Sequence, residues 1–149
     1  SNIDRDYFGA WLSGFTDGEG CFRLYLNGNT KTPAARFFIS LRKDDESVLF
    51  IIQSYLACGA VDHNERPLPS KPQSLFRVDK IADLAGIVVP HFEHFPLMAK
   101  KLMDFGLWRQ AVEIIYTVNH RPIRTRWTVG ERQQFYDIQD ALHEQREYR

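Results

Sequence analysis

The chain predicts a mixed α+β domain built on a four-stranded antiparallel sheet, and three observations carry that prediction. The hydrophobic period changes from three-and-four to two between Asp17 and Gly20. Four short stretches then alternate apolar and polar residues, in two pairs separated by a helical stretch. Helical periodicity returns after residue 80 and holds almost to the last residue. The order is helix, two strands, helix, two strands, then three helices, which suits a sheet covered by helices on one face.

Each element has its own warrant. Asp6 to about Asp17 is helical because Tyr7, Phe8, Trp11, Leu12 and Phe15 recur at three and four, with Gly9, Ala10, Ser13 and Gly14 opposite. In Cys21–Asn27, Phe22, Leu24 and Leu26 alternate with Cys21, Arg23, Tyr25 and Asn27, as in a half-buried strand. Asn27-Gly28 opens a turn. Arg36–Arg42 follows as the second strand, with Phe37, Ile39 and Leu41 on one face. Asp45 to about Ala57 is a helix on Val48, Leu49, Ile52, Tyr55 and Leu56, stopped at Gly59. Ala60–Arg66 and Ser74–Asp79 are the remaining strands, and the proline-rich residues 65–74 between them read as a loop. Lys80–Val89 holds a short helix, and a long one runs from Met98 to about Val118. The last helix starts at Thr128, where Thr128 and Glu131 have capping-box spacing, and runs to about Gln145.

Composition bounds the function. The 149 residues make a single domain, 1–149, and 44% hydrophobic residues suffice for a core. Cys21 and Cys58 form neither a CxxC pair nor a zinc spacing, and a reduced intracellular compartment is the expectation. No apolar run is long enough to span a membrane, and Ser1 to Asp6 do not read as a signal peptide. Net charge is zero. A nucleic-acid partner would therefore require segregated charge, with Asp44, Asp45, Glu46, Asp137 and Asp140 on outer helices.

The polar faces of the strands carry Arg23, Tyr25, Asn27, Arg36, Ser40, Arg42, Arg66 and Arg77. An ordinary solvated sheet face accounts for such a set. So does a saddle facing duplex DNA, since arginine grips phosphate and reads guanine edges bidentately. The handover Asp17-Gly18-Glu19-Gly20 sets two acids among glycines. An EF-hand reading of it fails, because the next ligand position is Cys21 and the twelfth is Gly28. A plain helix-to-strand turn explains the glycines but not the acid between them.

The stretch Leu12 to Gly20, "LSGFTDGEG", resembles the nine-residue motif of the LAGLIDADG homing endonucleases, matching it at Leu12, Gly14, Asp17 and Gly20. "FISLRKDD", "YLACGAV" and "FPLMAKKLMDFGLWRQAVEII" are similar to later segments of that family. The resemblance covers roughly Asp6 to Val118. It implies an αββαββα saddle, with a four-stranded antiparallel sheet facing DNA and helices on the opposite face.

The resemblance also implies a site. Glu19 is the acid that binds a divalent metal, Mg²⁺ with Mn²⁺ or Ca²⁺ as substitutes in binding, assisted by the Gly18 carbonyl. A metal-activated water attacks the phosphodiester in line and leaves a 5′ phosphate. Asp17 serves the helix pair rather than the metal. Ala10, Ser13, Gly14 and Asp17 let a second copy of the helix approach. The single motif implies a homodimer on a long, near-palindromic double-stranded DNA target, with one Glu19 from each subunit. Family enzymes carry a basic residue before the long helix, here Lys101 or Lys100. A polar residue that organises water has Ser40 and Arg42 as candidates, although the Gln common in the family is missing. No small-molecule cofactor and no membrane partner is expected, and the compartment is one with access to DNA, a bacterial cytoplasm or an organelle. An RNA-binding intron maturase and a non-catalytic DNA-binding regulator are the alternatives on the same fold.

Three features stand outside this scheme. His91 and His94 have no further ligand at a useful spacing. The cluster His120, Arg121, Arg124 and Arg126 suits either flanking phosphates or a solvated loop. The tail "HEQREYR" reads as solvated.

Overall fold

The computed structural model describes residues 4–64, 71–123 and 126–147. Arg66 and Arg124 lie outside the described residues. Helix α1 spans Arg5–Glu19, with the Asp4 carboxylate accepting from the backbone N–H groups of Asp6 and Tyr7 at its start. Strands β1 (Gly20–Asn27) and β2 (Thr32–Arg42) form an antiparallel hairpin. Helix α2 (Glu46–Leu56) leads to β3 (Ala60–Asn64) and β4 (Gln73–Val78). Helix α3 (Ile81–Asp83), a π-turn at Leu84–Val88 and α4 (Val89–His94) run on without a break. The long helices α5 (Lys101–Asn119) and α6 (Val129–Glu147) complete the fold. The sheet order is β1-β2-β4-β3, antiparallel throughout.

The strand period sorts the faces as predicted. Phe22, Leu24, Ala35, Phe37, Ile39, Phe76 and Val78 are buried under the helices. Phe22 is the hub, its ring centroid 5.0–5.5 Å from those of Phe37, Phe92, Phe105 and Trp108. Such pairs contribute about 0.5–1.5 kcal/mol each beyond their buried area.

Several boundaries differ from the expectation, β1 and β4 each by one residue and the helical stretch after Lys80 by running on to His94. α1 runs two residues further, so Gly18 is helical and Glu19 is the last helical residue. Gly20 makes the exit: a Cβ there would lie 2.5 Å from Thr16 Cγ2. β2 begins at Thr32, four residues early. Pro33 is tolerated because β4 pairs with β2 only from Phe37 onward, so the first half of β2 is an edge. α2 ends on Ala57 in the left-handed region (φ 58°), while Gly59 (φ 87°) lets the backbone pass against Phe76 and the Arg77 carbonyl. α5 starts at Lys101, three residues after Met98, since residues 97–100 form the turn that enters it.

The apolar stripe of α1 is split. Leu12 is buried, and Phe8 and Phe15 pack on the core, but Tyr7 is 72% and Trp11 37% exposed. The tail from His143, read as solvated, reaches the sheet through Arg146. Gln139 Nε2 donates to the Leu24 carbonyl at 3.4 Å and Arg146 donates to the Phe22 carbonyl, so α6 covers the free edge of β1. The Thr128–Glu131 capping box forms in both directions, each bond 3.1 Å. Arg121, open between a phosphate contact and a solvated loop, bonds Glu131 at 2.6 Å, and that guanidinium together with the cap pulls the Glu131 carboxyl down to about 2.

His91 is a core residue. Ser13 Oγ gives its one hydrogen to the Phe95 carbonyl at 2.6 Å, so at 3.3 Å it accepts from His91 Nε2–H. Nδ1 is then the bare nitrogen and accepts from the Tyr55 hydroxyl at 3.3 Å. Burial, with a smaller contribution from His94, lowers the His91 pKa to about 4. Between about pH 6.5 and 4 the unfolded chain binds this proton and the folded chain does not. Stability is therefore fully present above pH 6.5 and falls as pH drops through this window, by on the order of 3 kcal/mol from this group. Urea midpoints measured across that window should decline, and His91→Gln should flatten the decline.

Candidate nuclease site

The site is built where α1 ends. The Asp17 carboxylate accepts from the backbone N–H of Met98 at 2.9 Å and of Ala99 at 3.1 Å. These are donors that the entry to α5 would otherwise leave unpaired. In return Lys101 Nζ donates to the Asp17 carbonyl at 3.3 Å. Asp17 thus caps the entry to α5 from the end of α1, and it also borders the hollow beside Ala10 and Gly14. Of the two candidate lysines, Lys101 is half-buried at the end of α1 and Lys100 is exposed.

Glu19, two residues on, is exposed at the C-terminal end of α1. The last carbonyls of a helix have no intrahelical partner and carry its negative pole, which favours a cation. Among the described residues no three His, Cys, Asp or Glu side chains gather into a metal cage. One carboxylate beside backbone carbonyls, Gly18's among them, is a partial set of hard oxygen donors. Mg²⁺ suits such a set, because it keeps waters and completes its shell from phosphate. Cys21 follows on β1; burial raises its thiol pKa, against the opposing fields of Arg146 and Lys101.

The exposed side of α1 carries Tyr7, Ala10, Trp11, Gly14 and Gly18. A Cβ added at Gly14 or Gly18 would meet nothing within 4 Å. Ala10 and Gly14 therefore lie where expected. Ser13 does not: it is 3% exposed and turned onto His91 and Phe95. An open hollow of roughly 230 Å³ lies beside this side, bordered by Ala10, Gly14, Asp17, Pro96 and Met98.

The outer face of the sheet gathers most of the remaining candidates. Arg23, Tyr25 and Asn27 come from β1, Arg36, Ser40 and Arg42 from β2, and Arg77 from β4. Gly20 pairs with Ile39, which sets Ser40 one step along toward the Glu19 end. Arg42 lies beyond it and bonds Asp44 at 3.2 Å, an exposed pair that adds little to stability. Arg36 Nε lies 2.5 Å from Asp79, and Arg77 bonds both Asp62 and Asp79. Two carboxylates on this face were not among the candidate residues. The signal was present for Asp79, since period two places it on the same face as Arg77.

The helix-end acid Glu19 and Lys101, which bonds the Asp17 carbonyl, border an open, arginine-bearing antiparallel sheet, and this α+β arrangement can be set beside known folds. The family model described as LAGLIDADG endonuclease matches residues 12–112. The chain belongs to the LAGLIDADG endonuclease family, and the 149 residues carry one copy of the motif. "Probable intron-encoded endonuclease 3" of Neurospora crassa is 30% identical over 74% of this chain and 21% of its own length. "Homing endonuclease I-ApeII" of Aeropyrum pernix is 27% identical over 56% of this chain and 48% of its own. The chain spans about a fifth to a quarter of the length of three of the fungal relatives it matches. Among solved structures, the homing endonuclease I-TnaI aligns with a TM-score of 0.75 at 25% identity, covering 99% of both chains. I-GzeII in complex with its DNA target aligns with a TM-score of 0.77 at 21% identity, covering 94% of this chain and 45% of that one.

The clamp on α5 has a measurable consequence. Asp17→Ala should cost about 1–2 kcal/mol of stability, as for loss of a helix cap, while Asp17→Asn, which keeps one acceptor, should cost less. Urea unfolding of both variants measures this order.

Proposed function

We propose that this protein is a site-specific double-strand DNA endonuclease of the homing type, acting as a homodimer with a divalent metal. The observation that carries the reading is the exposed Glu19 carboxylate at the end of α1, beside Lys101 and the open sheet face. The relatives named intron-encoded endonucleases and the I-SmaMI and I-GzeII structures bound to DNA support it. The same relatives support a workplace with access to DNA; among the described residues no helix is long and apolar enough to cross a membrane.

In this reading Glu19, with the Gly18 carbonyl, holds Mg²⁺. The bound cation supplies an acidified water and neutralises charge on the leaving oxygen. Lys101 sets a positive charge beside the scissile phosphate. Arg23, Arg36, Arg42 and Arg77 meet the duplex along the outer sheet face, with Tyr25, Asn27 and Ser40 as polar contacts. One Glu19 serves one strand, so cutting both strands takes two subunits. The homodimer draws support from α1: exposed Tyr7 and Trp11 beside Ala10, Gly14 and Gly18 make an apolar face with small residues that allows a second helix to come close. A two-fold protein calls for a near-palindromic target.

With Mg²⁺ and a library of randomised duplexes, the wild-type chain should cut a recoverable target. Glu19→Gln should still bind that target but cut it ~10³-fold or more slowly, equivalent to the ~4 kcal/mol of lost metal-held charge. Absence of any cut by the wild type, in Mg²⁺ or Mn²⁺, would sink the enzyme reading and leave RNA or DNA binding alone. Sedimentation equilibrium at micromolar concentration should return twice the mass of one chain, and a monomer with and without DNA would refute the dimer.

A further inference from the structure

We propose that Asp79, with Asp62 behind it, presets Arg36 and Arg77 on the outer sheet face as base-reading groups, and so sets sequence selectivity rather than affinity. The proposal rests on the DNA-binding reading above. Both carboxylates lie among the arginines that would meet DNA, where an acid repels phosphate and weakens general affinity.

The geometry forms one line across the sheet. Arg23 and Arg36 are cross-strand partners, and both guanidinium carbons lie over the Tyr25 ring, at 4.8 and 5.9 Å from its centroid. Phe37 pairs with Val78, which brings Arg36 level with Asp79. Asp79 Oδ1 accepts from Arg36 Nε, and its Oδ2 accepts from Arg77 Nη1. Arg77 Nε in turn donates to Asp62 Oδ2 on β3. The array Arg23–Tyr25–Arg36–Asp79–Arg77–Asp62 thus crosses from β1 to β3.

This arrangement has three physical consequences. A guanidinium held by carboxylate at Nε keeps a fixed plane, so its remaining N–H groups point in fixed directions before DNA arrives. A phosphate must compete with the carboxylate for these arginines, whereas a guanine edge can take the uncommitted N–H groups. The carboxylate oxygens also offer acceptors to a cytosine amino group in the same groove. Side-chain exposures of 26% for Arg36, 27% for Asp79, 33% for Arg77 and 47% for Asp62 leave the array within reach of a duplex. Asp79 is the key member, since among the described residues it bonds both arginines, whereas Asp62 bonds Arg77.

The test compares wild type with Asp79→Asn, which keeps the shape and removes the charge. Binding is measured in Ca²⁺ to the selected target and to a random duplex of the same length, over a salt series. The ratio of specific to random affinity should fall roughly tenfold in the variant. Affinity for the random duplex should rise, and its log–log salt slope should steepen by about one to two, as released arginines turn to phosphate. Target selection repeated with the variant should lose information at a few base pairs rather than uniformly. Asp62→Asn, which releases Arg77 alone, should show a smaller loss. A selective wild type matched by Asp79→Asn in ratio and slope would overturn the proposal by itself. A wild type that binds no duplex selectively would overturn the DNA reading, and this proposal with it.

Discussion

The hydrogen bonds from Met98 and Ala99 to the Asp17 carboxylate are the constraint on which the functional end of the molecule depends. They satisfy donors at the entry to α5 with a charged acceptor, roughly twice as strong as a neutral one. They also join two elements more than eighty residues apart in sequence. With the end of α1 fixed to the start of α5, Lys101 reaches the Asp17 carbonyl, two residues before Glu19 in the chain. Neither residue could be positioned by its own helix alone. The exit at Gly20 adds the second half of the constraint: the chain passes so close to Thr16 that only glycine fits. Helix, acid and the first sheet strand are therefore locked in one orientation.

That lock explains a division of labour between the two acids of the motif. Asp17 spends its carboxylate inside the chain, and Glu19 keeps its own at the surface. The same side of α1 presents small residues and two exposed aromatics. Tyr7 and Trp11 stay exposed there, while the helix's other side is buried at Leu12, Ser13 and Thr16. Ser13 belongs to that inner side because it anchors His91, a group that the core accommodates only as a neutral ring.

Charge on the sheet is arranged differently from what a neutral chain suggested. The expectation was segregation, with acids such as Asp44, Asp45, Glu46, Asp137 and Asp140 on outer helices, although the strand period already set Asp79 on the same face as Arg77. Instead Asp62 and Asp79 sit on the outer sheet face among the arginines, and Asp44 holds Arg42. Glu46 turns toward the sheet, where Ser74 Oγ donates to it at 2.8 Å. Local pairing thus replaces long-range separation. Paired arginines keep their guanidinium planes while giving up part of their field, a balance that favours recognition of shape and base edge over attraction to any phosphate.

The sequence by itself determined the elements, the two faces of the sheet and the acid at the end of α1. Period two and period three-and-four are local properties of the side chains, and the Phe22, Phe37 and Phe76 rows show them plainly. The Thr128–Glu131 cap was legible for the same reason, as its partners are three residues apart. The tertiary structure alone decided which residues answer one another across long separations. Asp17 with residues 98 and 99, Arg36 with Asp79, Arg77 with Asp62, Ser13 with His91, and Arg146 with β1 are all such pairs. It also rotated the exposed side of α1 away from Ser13, because burial of one side of a helix depends on what packs against it. A local pattern fixes what a residue can do; only the meeting of distant segments, which burial and hydrogen-bond satisfaction select, decides which of those things it does.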